Sequence, residues 1–360
     1  MSNKKKLVFN VGDHKAGSTS IQTAFYKKSV CVPGKNVFYP NGLSINNYGA
    51  RFLNHQRESL SENAWIETQQ DLKKMAQDIK RSEADFIIFS GENFEPVYPR
   101  LVKRVIDTTF RDIADPIIYV TYLRPHAARF VSSFSERTKI GVSAVLSETL
   151  ESSFAGVKKR GGYRFFNRLQ RWKNAFGERY IVRPVIRSEL VDSSVLNDFA
   201  AIAFGENAFE IESTKEENKS VCVQDLVRLK VLHSWLNLDP KLSHHVGWLV
   251  HQTLSTLPPV KSPVKLSLHK DLAEDIRKHC LEDAQLIDEN IFDKKPLMVT
   301  ELEKAVDTAS SKPVSLDPND YLAKDEMRSL QLMAEFIRKL VRTNGQNWKQ
   351  VLYEARLQDL

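Results

Sequence analysis

The sequence predicts an α/β fold: a mainly parallel β-sheet flanked by helices, with a helical C-terminal part. Three observations lead there. Over roughly the first 200 residues, apolar runs of strand length alternate with segments of helical apolar periodicity. Those runs are continuous rather than alternating, as in strands covered on both faces. After about residue 210 strand signals stop and only helical patterns follow.

The elements follow in order. Residues 7–11 form a first strand ending at Gly12, and a short loop then carries Lys15, Gly17, Ser18, Thr19 and Ser20. Ile21, Ala24 and Phe25 begin a helical pattern. Residues 65–79 read as a helix with Leu72, Met75, Ala76 and Ile79 on one face. Residues 85–90 and 116–123 are buried strands, separated by a helix over 101–110. Helices over 127–139 and 163–176, the second closed by Gly177, lead to a last strand over 179–185. Beyond it, residues 221–235 and 271–291 read as helices joined through a breaker-rich segment, 257–264. A Ser/Pro/Asp-rich linker at 308–318 precedes an apolar stripe, Met327, Leu330, Met333, Ile337 and Leu340, ended by Asn344 and Gly345. That tail is expected to pack on the core, with a dimerising helix pair as the alternative.

Composition bounds the function. Of 360 residues, 42% are apolar and 27% charged, as in a globular protein. A dispersed excess of +7 does not call for nucleic acid and suits an anionic cofactor. Cys31, Cys222 and Cys280 include no C-x-x-C pair, so neither a disulfide framework nor a zinc site is expected, and Cys280 reads as core. His233, His244, His245 and His251 fall in a helical region without the Cys or carboxylates that would complete a metal site, so no metal is expected. No secretory h-region and no apolar run of about 18 residues is present, which leads to an expected cytoplasmic location without a transmembrane segment.

In open α/β sheets, ligands bind beyond the carboxyl ends of the strands. The first strand feeds a Gly/Ser/Thr-rich turn at a helix start, where backbone N–H groups and the helix dipole favour an anion. The alternative is an ordinary connection with Ser18 as N-cap. Gly12 and Gly17 have Walker A spacing, yet Ser18 stands where that motif needs lysine, and the loop's lysine is Lys15. The second apolar run ends in Ser90-Gly91-Glu92-Asn93, and the third in Arg124-Pro125-His126, followed by Arg129, Ser132 and Ser133. The last strand carries Arg183, with Arg187 just beyond. One anion loop, one carboxylate and several arginines therefore gather at one sheet edge. Taken singly, Glu92 would be a helix-start acid and Arg124 a surface ion-pair partner.

Residues 11–20 (VGDHKAGSTS) resemble the 5′-phosphosulfate loop of sulfotransferases that use 3′-phosphoadenosine 5′-phosphosulfate (PAPS). That loop is written G-x-x-K-T/S-G-T/S-T/S; Lys15, Gly17, Ser18 and Thr19 match, and Ala16 departs from it. Arg124, with Ser132 eight residues later, resembles the family's 3′-phosphate motif, although Pro125 alters the usual Arg-Asp-Pro order. Ser90-Gly91-Glu92, Tyr163 with Trp172, Phe176-Gly177, the run 180–184 and Asn218-Lys219-Ser220 are similar to segments of bacterial, carbohydrate-type members. The resemblance covers roughly 6–295.

It implies a P-loop-like α/β domain over 1–295, helical from about 211, and a linker with a helical extension packing on the core over 296–360. It also implies metal-free, in-line sulfuryl transfer from PAPS, with PAP as product, to an acceptor hydroxyl, expected on a carbohydrate or glycan. Lys15 would neutralise the leaving phosphate. Residues Ala16, Gly17, Ser18, Thr19 and Ser20 would cradle the 5′-phosphate, while Arg124 and Ser132 hold the 3′-phosphate. Glu92 is the first candidate for the base and His14 the second, then His126. Residues 32–54 and 142–162 are expected to be loops shaping the acceptor pocket. Lys158, Lys159, Arg160 and Arg164 form a basic stretch that would suit an anionic glycan, or else a solvated helix start or loop. Trp172 is expected in the core. The competing readings are a P-loop kinase-like phosphotransferase, which would want lysine at position 18 and a strand-ending aspartate, and a non-catalytic nucleotide-binding protein.

Overall fold

A computed structural model of the chain describes residues 4–40, 44–212, 221–343 and 347–358. Asn218 to Ser220 and Asn344 to Gly345 lie outside them. By contact the described residues fall into two compact units. The first draws on Met1–Pro125, Phe165–Glu217 and Leu286–Leu297, and the second on His126–Arg164, Asn218–Gln285 and Met298–Leu360.

Among the described residues, the first unit holds seven strands: β1 (Lys5–Asn10), β2 (Val30–Cys31), β3 (Val37–Phe38), β4 (Phe86–Ser90), β5 (Ala114–Leu123), β6 (Tyr180–Pro184) and β7 (Glu210–Ile211). Five form a parallel sheet in the order β3-β4-β1-β5-β6, while β2 and β7 pair antiparallel. The chain's first strand is therefore central. In register, Val8 lies opposite Ile88 and Ile118, and Phe9 opposite Phe89 and Tyr119.

Side chains alternate across a strand, so Val8 and Phe9 serve opposite faces. On one face Val8, Ile88 and Val120 pack with Ile21, Ala24 and Phe25 of the helix Ser18–Tyr26 and with Phe199, Ala200 and Ala203 of the helix Val195–Phe204. On the other, Phe9, Phe89, Phe94, Phe110, Tyr119, Trp172 and Phe176 form a continuous aromatic stack. Trp172 is thus core, as expected. Both faces are dry, and each such side chain contributes about 1.5–3 kcal/mol relative to exposure.

Several expectations need correction. Residues 101–110 do not form one regular helix: Pro99–Val102 passes through a widened π turn, Lys103–Asp107, into Thr108–Phe110. Asp107 on that turn is buried, accepting from the Tyr119 hydroxyl at 2.7 Å and from Arg179 at 2.8 Å. The expected acceptor loops contain helices: Ser44–Gln56 in the first unit, Ser143–Leu146 and Leu150–Lys159 in the second. Asn46, Asn47 and Gly49 fall within an expected loop but are helical, where tertiary contacts hold them. A Cβ at Gly49 would come within 2.9 Å of Asn93, and Asn46 accepts two hydrogen bonds of 3.0 Å from Asn93. In the second helix pair, Thr149 and Ser152 build a capping box.

The second unit is helical from Val223–Leu236 onward. It includes Pro240–Thr256, which Asp239 caps and which holds His244, His245 and His251 in a helix, as expected. Leu232, Leu236, Val246 and Ala334 form a core with Val250, Ile337 and Leu352 around it. Cys280 is fully buried, and buried His126 meets Asp283 at 2.9 Å. The basic stretch is corrected too. Lys158 and Lys159 end a helix rather than start one. Lys158 bonds both oxygens of Asp275 at 2.6–2.8 Å, and Arg164 lies 3.6 Å from Glu282. Some of that positive charge is therefore already matched.

Candidate anion loop and carboxylate site

The site is built within the first unit, where β1 and β4 end side by side. Asn10, the last residue of β1, donates to the Ser90 hydroxyl at 3.0 Å, and the Gly91 N–H donates to the Asn10 carbonyl at 2.9 Å. Beyond Asn10 the backbone leans on β5, with Val11 N–H donating to Val120 and Asp13 N–H to Tyr122.

Two glycines let the loop turn here. Gly12 sits at φ +107°, and a Cβ there would come within 3.1 Å of the Glu92 carbonyl. Gly17 sits at φ +93° as the N-cap of Ser18–Tyr26, and a Cβ there would press on Val195 at 3.0–3.1 Å. Between them Lys15 takes the left-handed region at φ 61°, an uncommon place for a residue with a Cβ.

Ser18 is therefore not the N-cap; Gly17 is, and no side chain caps this helix end. The Ser18 hydroxyl instead donates to Glu92 Oε2 at 2.7 Å. Glu92 opens the short turn Glu92–Phe94 directly after β4, so it does occupy a helix-start position. It also faces the loop, with His14 Nδ1 3.7 Å from the same oxygen.

Burial pushes the Glu92 pKa up. The His14 imidazole, the Ser18 hydroxyl and the Lys15 charge together outweigh burial and hold it below its ordinary value near 4.5. The folded protein thus binds this proton more weakly than the unfolded chain does. Its stabilisation is complete above the ordinary value and is lost as pH falls through the folded one. Glu92→Gln is expected to lower stability at neutral pH and to flatten the acid limb of a plot of Tm against pH; parallel curves for the two proteins would contradict this.

A second carboxylate completes the loop's framework. Glu95 Oε2 accepts the His14 backbone N–H at 2.8 Å and lies 3.9 Å from His14 Nε2. Arg168, in the helix Phe166–Phe176, places Nη2 3.3 Å from Asp13 Oδ1 and 3.6 Å from Glu95 Oε1. Burial alone would lower the Arg168 pKa, but Asp13 and Glu95 raise it, so the guanidinium stays charged. Arg168 thereby ties the Gly12–Lys15 segment to the Glu92–Phe94 turn.

Lys15 and His14 are half-buried, Ala16 and Ser18 buried, Ser20 half-buried and Thr19 exposed, all at the carboxyl end of the central strand. Arg124 follows β5 directly and is half-buried. Ser132 belongs to the second unit, half-buried on the helix His126–Lys139. Arg183 is already engaged: its fork grips Asp198 at 2.6 and 3.0 Å, and Asp198 also accepts from the Tyr122 hydroxyl. It pins β5 and β6 to Val195–Phe204 instead of serving as an anion ligand. Arg187 is exposed.

Asp13, Glu95 and Arg168 were missed from sequence. Glu95 had a usable signal, lying one short turn after Glu92. Arg168 had none, because no local spacing links it to residue 13. The chain matches no protein-family model, no curated protein and no solved structure.

Proposed function

We propose that the protein is a PAPS-dependent sulfotransferase acting on an acceptor hydroxyl, with a carbohydrate as the favoured acceptor. One observation carries the reading. Lys15 and a glycine-capped helix start stand at the carboxyl end of the central strand, and Ser18 joins that loop to Glu92. The strand order, with the first strand central, agrees with a P-loop-like assignment. The positive φ at Gly17 turns the chain into the start of Ser18–Tyr26, an end that no side chain caps and where first-turn N–H groups favour a compact anion.

In this reading the acceptor oxygen attacks sulfur, the bond from sulfur to the 5′-phosphate oxygen breaks, and the acceptor proton passes to Glu92. Lys15 and the N–H groups at the start of Ser18–Tyr26 stabilise charge building on the leaving phosphate. Glu92, kept ionised by its surroundings, is ready to accept a proton, though with reduced proton affinity. Glu95 and Arg168 position the loop and touch no substrate. Arg124 would hold the 3′-phosphate, which would distinguish this nucleotide from ATP.

The test is transfer of labelled sulfate from PAPS to a panel of glycans, lipids and small alcohols, with PAP binding measured in parallel. Transfer that fails with Glu92→Gln while PAP binding persists is the expected pattern. Full activity in that variant moves the base to His14. Absence of PAPS binding by the wild type sinks the reading, and PAP binding without transfer to any acceptor favours a non-catalytic nucleotide-binding protein.

A further inference from the structure

The helix Lys324–Thr343 carries two apolar faces. One is used: Ala334 is fully buried, and Ile337 packs with it against Leu232 and Leu236. The other faces water. Leu332 is 70% exposed, Phe336 65%, Met333 40% and Leu340 39%. Leu332, Phe336 and Leu340 recur every fourth residue and form one stripe. Because Ala334 and Ile337 anchor the opposite side, the helix cannot roll to bury it. The stripe expected from sequence (Met327, Leu330, Met333, Ile337, Leu340) is therefore split between core and surface.

Basic residues predominate along one edge of the stripe, with Glu335 among them. By helical spacing, Arg328, Lys339 and Arg342 line the side next to Leu332 and Phe336. The acids nearby are largely engaged: Glu335 bonds Arg338, and Glu326 bonds Arg228 at 2.7 Å. Asp325 lies in the first turn, at the end remote from Arg342.

We propose that this helix docks the protein on anionic lipid membranes, lying in the interface plane with Leu332, Phe336, Met333 and Leu340 inserted and the basic edge on the headgroups. Large apolar side chains flanked by Arg and Lys on an in-plane helix are what such surfaces bind. A ridge enters a fluid hydrocarbon layer without needing a matching groove. A second copy of the chain fits less well. The stripe exposes on the order of 400 Å², about half of what one partner brings to a stable interface. Antiparallel self-pairing would also set basic edge against basic edge.

The experiment is co-sedimentation of the full-length protein with phosphatidylcholine vesicles, with and without phosphatidylserine. The wild type should partition onto the phosphatidylserine vesicles and weaken with added salt. Leu332→Ser/Phe336→Ser should lower the partition coefficient about tenfold or more. Arg328→Gln/Arg342→Gln should lower it and blunt the salt dependence. All four positions are outside the core, and far-UV circular dichroism checks that the variants fold. No partition onto phosphatidylserine vesicles, or partition unchanged in the Leu/Phe variant, overturns the proposal. So does a wild-type dimer that the Leu/Phe variant splits while vesicles are ignored, which assigns the stripe to a second copy. Sulfate transfer is not read in any arm, so the result stands apart from the proposed reaction.

Discussion

Lys15→Ala is expected to reduce sulfate transfer roughly 10²–10³-fold, the size of effect seen when one preorganised charge or donor at a developing oxyanion is removed. The loss should fall on kcat more than on KM, because in the proposed reaction Lys15 would meet a charge that grows during bond breaking. Folding should survive. Lys15 sits on a loop between two glycines, and its left-handed φ costs alanine no more than it costs lysine. Lys15→Arg should recover only part of the rate, since the guanidinium spreads its charge and presents a rigid fork where a compact ammonium stood. Steady-state kinetics with labelled PAPS, beside PAP affinity by calorimetry, separate these effects. An unchanged kcat in Lys15→Ala would falsify the proposed mechanism.

Arg168→Ala is expected to be the most destabilising single change near the site. Arg168 is 13% exposed, Asp13 0% and Glu95 14%, so its removal takes a cation away from two carboxylates in poorly hydrated surroundings. Removing one partner of a buried charged group costs about 3–5 kcal/mol, a large fraction of a domain's total stability. Urea denaturation of wild type and variant at neutral pH measures the loss. A loss below about 1 kcal/mol at neutral pH would show that the carboxylates reach water without Arg168.

What could be read from sequence depended on whether the signal was local. β1, β4 and β5 were visible because strands covered on both faces must be continuously apolar. The turn from β1 into the helix Ser18–Tyr26 was visible because a strand, two glycines and a helix start lie within about fifteen residues. Glu92 was found by asking what stands at the ends of neighbouring strands. The rest was set by distant partners. Asn46 and Gly49 lie in a stretch expected to be a loop, but they are helical with Asn93 packed against them. Arg183 looked like an anion ligand until Asp198, on another element, proved to hold it. Ser18 looked like a cap until its hydroxyl was found on Glu92. Arg168 joins Asp13 and Glu95 across more than 70 residues, a link no periodicity records.

A serine hydroxyl has one proton to give, and that of Ser18 goes to Glu92. An anion seated at the start of the helix competes for it. Three changes would then act in the same direction: Glu92 loses a donor, Lys15 is partly neutralised, and a new negative charge arrives nearby. Each raises the carboxylate's appetite for a proton. Linkage is reciprocal, so the anion should bind more tightly as pH falls through the Glu92 range, with net proton uptake measurable by calorimetry in buffers of different ionisation heat. Ser18 thus couples the loop to Glu92, and in the proposed reaction loading the donor nucleotide would strengthen Glu92 as a base, while an empty loop would leave it muted.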